Sequence, residues 1–240
     1  MTNRTTARTV KLARMNDSTD LKLERVVLET GENPEHAVVW LHGLGADGHD
    51  FEPIVPQLSS ASRRPVRFIF PHAPVRPVTI NAGMSMRAWY DILGAEIDRD
   101  QDTAGIHASL GMIDALLDDE IAAGIEPGNI VLAGFSQGGA VALRCGLARS
   151  EPLSGLIGLS TYLLEADRLE AWAGKDARRM PLFMGHGDHD PIVPVDLGEA
   201  SAKRLRSAGF EVTWQTWRMP HAVCPEEIAA LDRWLEQRLS

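Results

Sequence analysis

A short stretch around Ser136 constrains the fold of this chain more than any other part of the sequence. Residues 129–133 form an apolar run after a Pro-Gly pair, which indicates a buried parallel strand. Residues 140–149 are mostly good helix formers. Between them lies Gly134-Phe135-Ser136-Gln137-Gly138-Gly139. The sequence therefore predicts a serine on a very tight turn that joins a strand to a helix.

This turn gives the serine hydroxyl a particular chemical setting. The glycines let the strand and the helix approach closely, and a strained backbone projects the hydroxyl outward. The amino terminus of the helix directs backbone N–H groups at any negative charge that develops there. Ser136 is therefore a candidate nucleophile, and the backbone N–H of Gln137 is a candidate donor to an oxyanion.

Composition and charge exclude several classes of function. The net charge of −9 argues against nucleic acid as a partner. No apolar run approaches the length of a transmembrane helix, so we expect no stable membrane insertion. Two cysteines are too few for a disulfide framework, which favours a reducing compartment and predicts a cytoplasmic location.

The order of elements predicts one α/β domain. Strands alternate with helices over residues 21–240, which indicates a mostly parallel central sheet with helices on both faces and no large cap domain. Residues 1–20 are rich in Thr and Arg and poor in apolar side chains, and no apolar segment of a secretory signal follows the basic residues. We expect them to form a disordered N-terminal tail.

Three segments before the serine turn have less regular patterns. Residues 21–28 alternate imperfectly and predict an edge strand, whereas residues 47–58 predict a helix made irregular by Pro53 and Pro56. Residues 71–102 have no clean period but hold many apolar side chains. Two interpretations of this last segment stay open, namely a pocket wall and a packed loop without a ligand role.

A serine nucleophile needs an imidazole base and a carboxylate that orients the base. In chains with this type of turn, the acid comes after the serine in the sequence and the histidine comes after the acid. This order favours His221, which lies on a loop after the last predicted strand. Asp188 and Asp190 both follow a strand, where sites on parallel sheets gather, and the pattern does not separate them. Together with His186 and His189 they also permit a metal site as an alternative.

A second glycine-rich loop, residues 42–45, follows the strand at residues 37–41 and can present bare N–H groups to an oxyanion. A backbone N–H group is still present after the side chain of its residue is replaced. We therefore expect alanine substitutions at Leu44 and Gln137 to have little effect.

Several blocks match one family in order along most of the chain beyond residue 36. They are Leu-His-Gly-Leu-Gly at 41–45, Pro-His-Ala-Pro-Val-Arg-Pro-Val-Thr at 71–79, Trp-Tyr-Asp-Ile at 89–92, the turn at 134–139, His-Gly at 186–187, Asp-Pro-Ile-Val-Pro at 190–194, and His221 with Val-Cys-Pro-Glu-Glu at 223–227. Together they resemble the carboxylesterase, acyl-protein thioesterase and lysophospholipase family of small α/β-hydrolases. In one departure, Pro220 precedes the histidine where the family often has glycine.

The resemblance implies a role for specific residues. It implies a Ser136–Asp190–His221 triad and favours Asp190 over Asp188. It implies oxyanion donors at Leu44 and Gln137. It also implies substrate contacts near the acyl group by a further set of side chains: Trp89, Tyr162 and Ile192.

The expected function is that of a serine hydrolase, free of cofactor and metal, which cleaves carboxylic esters or thioesters with short to medium acyl chains through an acyl-enzyme. Its expected substrates are small esters or thioesters, an acylated protein, or a lysolipid. A lysophospholipase or a protein depalmitoylase would use the same triad, and a non-catalytic binding protein with this fold is a further alternative. The resemblance also makes a homodimer plausible.

Overall fold

The computed structural model describes residues 23–97 and 100–239. The expectation of a disordered tail concerns residues 1–20, which lie outside this range. Largely apolar runs form the central strands of the main sheet, as their burial requires, whereas the two edge strands are only partly buried. These strands are β1 (Arg25–Glu29), β2 (His36–Leu41), β3 (Val66–Pro71), β6 (Ile130–Phe135), β7 (Gly155–Leu159), β8 (Leu182–Gly187) and β9 (Val212–Trp217). A separate hairpin consists of β4 (Val75–Val78) and β5 (Met84–Arg87).

The main sheet confirms the predicted parallel architecture. Its seven strands lie in the order β1-β3-β2-β6-β7-β8-β9. Only β1 runs antiparallel, paired at the edge with β3, and every other neighbouring pair is parallel. The chain moves outward from β2 to β3 and then crosses back to β6 on the other side of β2. A crevice therefore opens where the carboxyl ends of β2 and β6 lie side by side, which is where open α/β sheets hold their ligands.

The helices cover both faces of this sheet. They are α1 (Ser59–Arg63), α2 (Thr103–Ala122), α3 (Gln137–Ala148), α4 (Leu169–Trp172), α5 (Val195–Ser207) and α6 (Pro225–Arg238). Alternate residues of β2 belong to two different apolar clusters, with Val39 in one and Trp40 in the other. This alternation is what a strand buried on both faces produces. No helix within the described ranges has the length and apolar character that a membrane crossing requires.

Two irregular segments differ from their sequence predictions. The helix expected over residues 47–58 is a 3₁₀ helix at Glu52–Gln57, because its prolines cannot donate the hydrogen bonds of a longer α-helix. Residues 71–102 include the β4–β5 hairpin, which the lack of a clean period concealed.

Candidate active site

Ser136 lies between β6 and α3 on a strained turn. Its φ and ψ angles are 54° and −122°, a conformation that side-chain-bearing residues rarely adopt. The neighbouring backbones are packed so closely that a Cβ atom on Gly134 would lie 2.4 Å from the backbone of Gly138. A Cβ atom on Gly138 would lie 2.4 Å from the carbonyl oxygens of Leu41, the last residue of β2, and of His42. Glycine is therefore required at both positions, and the strand–turn–helix prediction is confirmed.

Three predicted side chains form one hydrogen-bonded chain at the carboxyl ends of the strands. His221 Nε2 lies 2.9 Å from Ser136 Oγ, and His221 Nδ1 lies 2.6 Å from Asp190 Oδ2. A carboxylate only accepts hydrogen bonds, so Nδ1–H donates to Asp190 and Nε2 is free to accept from the hydroxyl. The arrangement can move a proton from the serine to the imidazole.

The structure also separates Asp190 from Asp188. The side chain of Asp190 is fully buried, and its Oδ1 accepts the backbone N–H groups of Ile192 at 2.8 Å and Val193 at 2.9 Å. These bonds fix the carboxylate so that its other oxygen faces His221. The side chain of Asp188 is 42% exposed, and its carboxylate lies 3.6 Å from the ring of His189.

His186 packs behind this carboxylate, whereas the sequence pattern predicted no role for it beyond the metal alternative. Its Nε2–H donates to Val193 O at 2.9 Å and lies 3.5 Å from Asp190 Oδ2. Burial lowers the pKa of His186, so the ring is neutral near pH 7. In the described part of the chain, no three histidine, cysteine or acidic side chains are arranged to hold a metal ion.

The glycine-rich loop after β2 is held by the buried ring of His42. Its Nδ1–H donates to Gly43 O at 2.7 Å, and its Nε2 accepts the N–H of Ala73 at 3.0 Å. Burial lowers the pKa of His42 to about 4, which keeps the ring in the neutral form that both bonds need. The indole N–H of Trp89 donates to His42 O at 2.9 Å. The loop is thus fixed beside Ser136.

The two residues predicted to supply the oxyanion donors, Leu44 and Gln137, line the same cavity as the serine. Gln137 is the first residue of α3, where backbone N–H groups have no acceptor within the helix.

The side chain of Gln137 has a role that the sequence did not predict. Its oxygen accepts the N–H of Trp89 at 2.8 Å, and its amide nitrogen donates to Tyr90 O at 2.8 Å. These two hydrogen bonds argue against the expectation that this side chain is dispensable. The local sequence pattern around Gln137 does not indicate that its side chain binds the main chain of Trp89 and Tyr90.

A cavity of about 530 Å³ opens beside Ser136. Tyr162 and Ile192, for which the resemblance implies substrate contacts, line this cavity. Trp89 does not line it and is completely buried, because its indole is hydrogen-bonded beneath the glycine-rich loop. Residues from the irregular 71–102 segment form much of one wall, which favours the pocket-wall interpretation. They are Ile80, Asn81, Tyr90, Ile92, Ala95 and Ile97.

Known proteins resemble the chain in both sequence and structure. Residues 23–239 match the phospholipase/carboxylesterase family. Acyl-protein thioesterase 1 of Gibberella zeae is 40% identical over 211 residues, which cover 84% of this chain and 90% of that protein. The crystal structure of Arabidopsis thaliana SOBER1 has a TM-score of 0.80 at 30% identity and covers 85% of this chain and 99% of its own. That of Zea mays acyl-protein thioesterase 2 has a TM-score of 0.79 at 28% identity, with 90% and 99% covered. The predicted resemblance is confirmed, and the chain belongs to the phospholipase/carboxylesterase family of α/β-hydrolases.

Proposed function

We propose that this protein hydrolyses carboxylic esters and thioesters with Ser136 as nucleophile, His221 as general base and acid, and Asp190 as the residue that orients the base. Membership of the family supports an esterase or thioesterase activity. The observation that carries the assignment of residues is the hydrogen-bonded chain from Ser136 Oγ through the His221 ring to the buried Asp190 carboxylate.

In the acylation step, Ser136 Oγ attacks the carbonyl carbon while its proton passes to His221 Nε2. Asp190 accepts the Nδ1–H bond and stabilises the imidazolium that forms. The backbone N–H groups of Leu44 and Gln137 stabilise the negative charge on the carbonyl oxygen, and each such donor contributes about 3 kcal/mol. His221 then gives the proton to the leaving alcohol or thiol, whose bond to the acyl carbon breaks.

In the deacylation step, water takes the place of the leaving group. His221 removes a proton from the water, the hydroxide adds to the acyl carbon, and the serine ester bond breaks. The proton returns to Ser136 Oγ and the carboxylic acid leaves. No cofactor takes part in either step.

The cavity supports short to medium acyl chains as substrates. Its volume is suited to a chain of limited length, and the wall formed by Ile80, Ile92 and Ile97 is apolar. Two relatives carry the name acyl-protein thioesterase, which supports an S-acylated protein as the larger substrate, whereas the family description also supports a lysolipid. A panel of esters and thioesters with acyl chains of increasing length separates these candidates.

The direct test is Ser136→Ala assayed with a p-nitrophenyl ester. Loss of the nucleophile should lower kcat by several orders of magnitude. Ser207→Ala, an exposed serine in the last turn of α5, is the control and should retain wild-type turnover. Turnover by Ser136→Ala at the wild-type rate would refute the assignment.

A fluorophosphonate probe addresses the alternative of a non-catalytic binding protein. The probe should label the wild-type protein and not Ser136→Ala, whereas a binding protein would stay unlabelled. Homodimer formation and a cytoplasmic location remain predictions. Light scattering coupled to gel filtration tests the first.

A further inference from the structure

The cavity beside Ser136 carries one carboxylate that the proposed reaction does not use. Among the residues that line the cavity, the ionisable side chains are Asp50, Tyr90, Tyr162 and His221. The two tyrosine hydroxyls lie 2.9 Å apart in a buried hydrogen bond, and burial raises the pKa of Tyr90. Asp50 is therefore the single acidic side chain on this wall in the described part of the chain.

Asp50 has no partner for its negative charge. Within residues 23–97 and 100–239, its carboxylate makes no hydrogen bond and no ion pair. Its neighbours differ, since Asp47 accepts the N–H of His49 at 2.8 Å and Glu52 accepts from the ring of His49 at 2.9 Å. Asp50 is exposed, but partial desolvation and the nearby Asp47 still raise the pKa of its carboxyl, which means that its environment disfavours the charged form. A cation in the cavity would relieve this cost.

Asp50 lines the same cavity as His221, and its neighbour Phe51 is connected to His221 through ring contacts. The ring of Phe51, the next residue, lies 5.5 Å from the ring of Phe135. The ring of Phe135 in turn lies 4.7 Å from His221. The base delivers its proton to the leaving group, so the leaving alcohol or thiol must lie on the side of His221. The acyl chain then extends along the apolar wall that contains Ile92 and Ile97.

We propose that Asp50 is a specificity-determining residue, which selects esters and thioesters whose leaving group carries a positive charge. Such a leaving group is a thiol or alcohol that also carries an ammonium group, either a cysteine with a lysine nearby in the same peptide or a small molecule with a quaternary amine. The inference rests on the proposed function, because it concerns the leaving group of the same reaction.

A pair of isosteric thioesters tests this selection directly. Butyrylthiocholine has a quaternary ammonium leaving group, and S-(3,3-dimethylbutyl) thiobutyrate replaces that nitrogen by carbon. The measured quantity is the ratio of kcat/KM for the cationic substrate to kcat/KM for the neutral one. In Asp50→Asn, we expect this ratio to fall about fivefold, as for loss of one partly exposed charge pair. In the wild type, 0.5 M NaCl should lower the ratio, because salt screens exposed charges.

Glu52→Gln is the matched control. It removes the same charge two residues away, from a side chain that does not line the cavity, and its ratio should equal that of the wild type. A second arm uses S-acyl peptides that carry either lysine or glutamine beside the acylated cysteine. This arm distinguishes a peptide from a small quaternary amine as the source of the charge.

The possible outcomes are distinct. If Asp50→Asn keeps the wild-type ratio, or if both substrates lose activity equally, Asp50 does not select charge and the inference is overturned. If Glu52→Gln lowers the ratio as much as Asp50→Asn, the net charge of the surface is responsible, which also overturns it. If the wild type cleaves neither thioester nor p-nitrophenyl esters, the proposed function fails and the inference fails with it.

Discussion

The side-chain oxygen of Gln137 accepts the backbone N–H of Trp89 at 2.8 Å. Its amide nitrogen donates to the carbonyl of the next residue, Tyr90, also at 2.8 Å. One side chain thus closes a hydrogen-bonded clamp between the start of α3 and a segment that lies 47 and 48 residues earlier. That segment carries both the indole that supports the glycine-rich loop and the cavity wall, so the clamp connects the nucleophile turn to both.

We expect Gln137→Ala to destabilise the protein and to lower kcat. The substitution leaves a buried N–H and a buried carbonyl without partners, and each unpaired group costs about 1–3 kcal/mol. The free energy of unfolding, measured with urea, should fall by about 2–4 kcal/mol. Gln57→Ala is the control, because Gln57 is exposed and, among the described residues, its amide donates only to Pro53 O. Equal stability of the two variants would show that the clamp contributes nothing.

The contacts of Asp190 predict a large difference between two neighbouring acids. Asp190→Asn should lower kcat by on the order of 10³–10⁴, because an amide at this position favours the wrong tautomer of His221. Asp188→Asn should stay within a few fold of the wild type, since its carboxylate faces His189 and not the base. Steady-state kinetics with a p-nitrophenyl ester measure both. A similar loss in the two variants would contradict the orienting role of Asp190.

Local sequence patterns were sufficient to predict the sheet and the turn. Apolar runs bounded by glycine and proline specify buried parallel strands, and a serine with a glycine two positions before it and another two positions after it specifies the turn. The sequence pattern could not predict which of Asp188 and Asp190 orients the histidine, because both follow the same strand. That choice depends on a loop that folds back so that Ile192 and Val193 donate to one carboxylate and not the other.

Contacts across long separations in sequence could not be predicted. Trp89 was expected to touch substrate, but its indole N–H is hydrogen-bonded to His42 O, 47 residues away. The side chain of Gln137 is bound to main-chain atoms in the same distant segment. Periodicity reports which face of an element is buried, and it carries no information on which segment covers that face.

Ile192 should determine how long acyl chains bind. It lines the cavity although it is 62% exposed, and removal of its branched side chain takes apolar surface away from a long chain. The lost burial of apolar surface costs about 1–2 kcal/mol of binding free energy. Ile192→Ala should therefore lower kcat/KM for an octanoyl ester about five- to thirtyfold and leave kcat/KM for an acetyl ester nearly unchanged. Val75→Ala is the control, because Val75 is 63% exposed but does not line the cavity. An equal effect on both esters would exclude a role in chain-length selection.

Glu227 predicts an unusual dependence of stability on pH. It is completely buried in α6 against Gly185 of β8, and neither carboxylate oxygen has a hydrogen-bond partner among the described residues. Burial raises the pKa of Glu227 from 4.5 to about 8. Between these two values the unfolded chain releases a proton that the native protein retains. The free energy of unfolding should therefore fall as pH rises through this window, by up to about 1.4 kcal/mol per pH unit, and level off above pH 8.

Glu227→Gln removes this ionisation while it keeps the size of the side chain. The variant and the wild type should have nearly equal stability at pH 4.5, where the native wild-type protein is protonated at this position and its unfolded chain is still half protonated. At pH 8 the variant should be more stable by about 2–4 kcal/mol, because only the wild type has lost stability through deprotonation of its unfolded chain. Urea denaturation at several pH values measures the difference. Glu226→Gln, at the exposed neighbouring position, controls for the charge of the helix terminus. If the difference between Glu227→Gln and the wild type stayed constant with pH, Glu227 would have to be ionised in the native protein, and its burial would need a cationic partner.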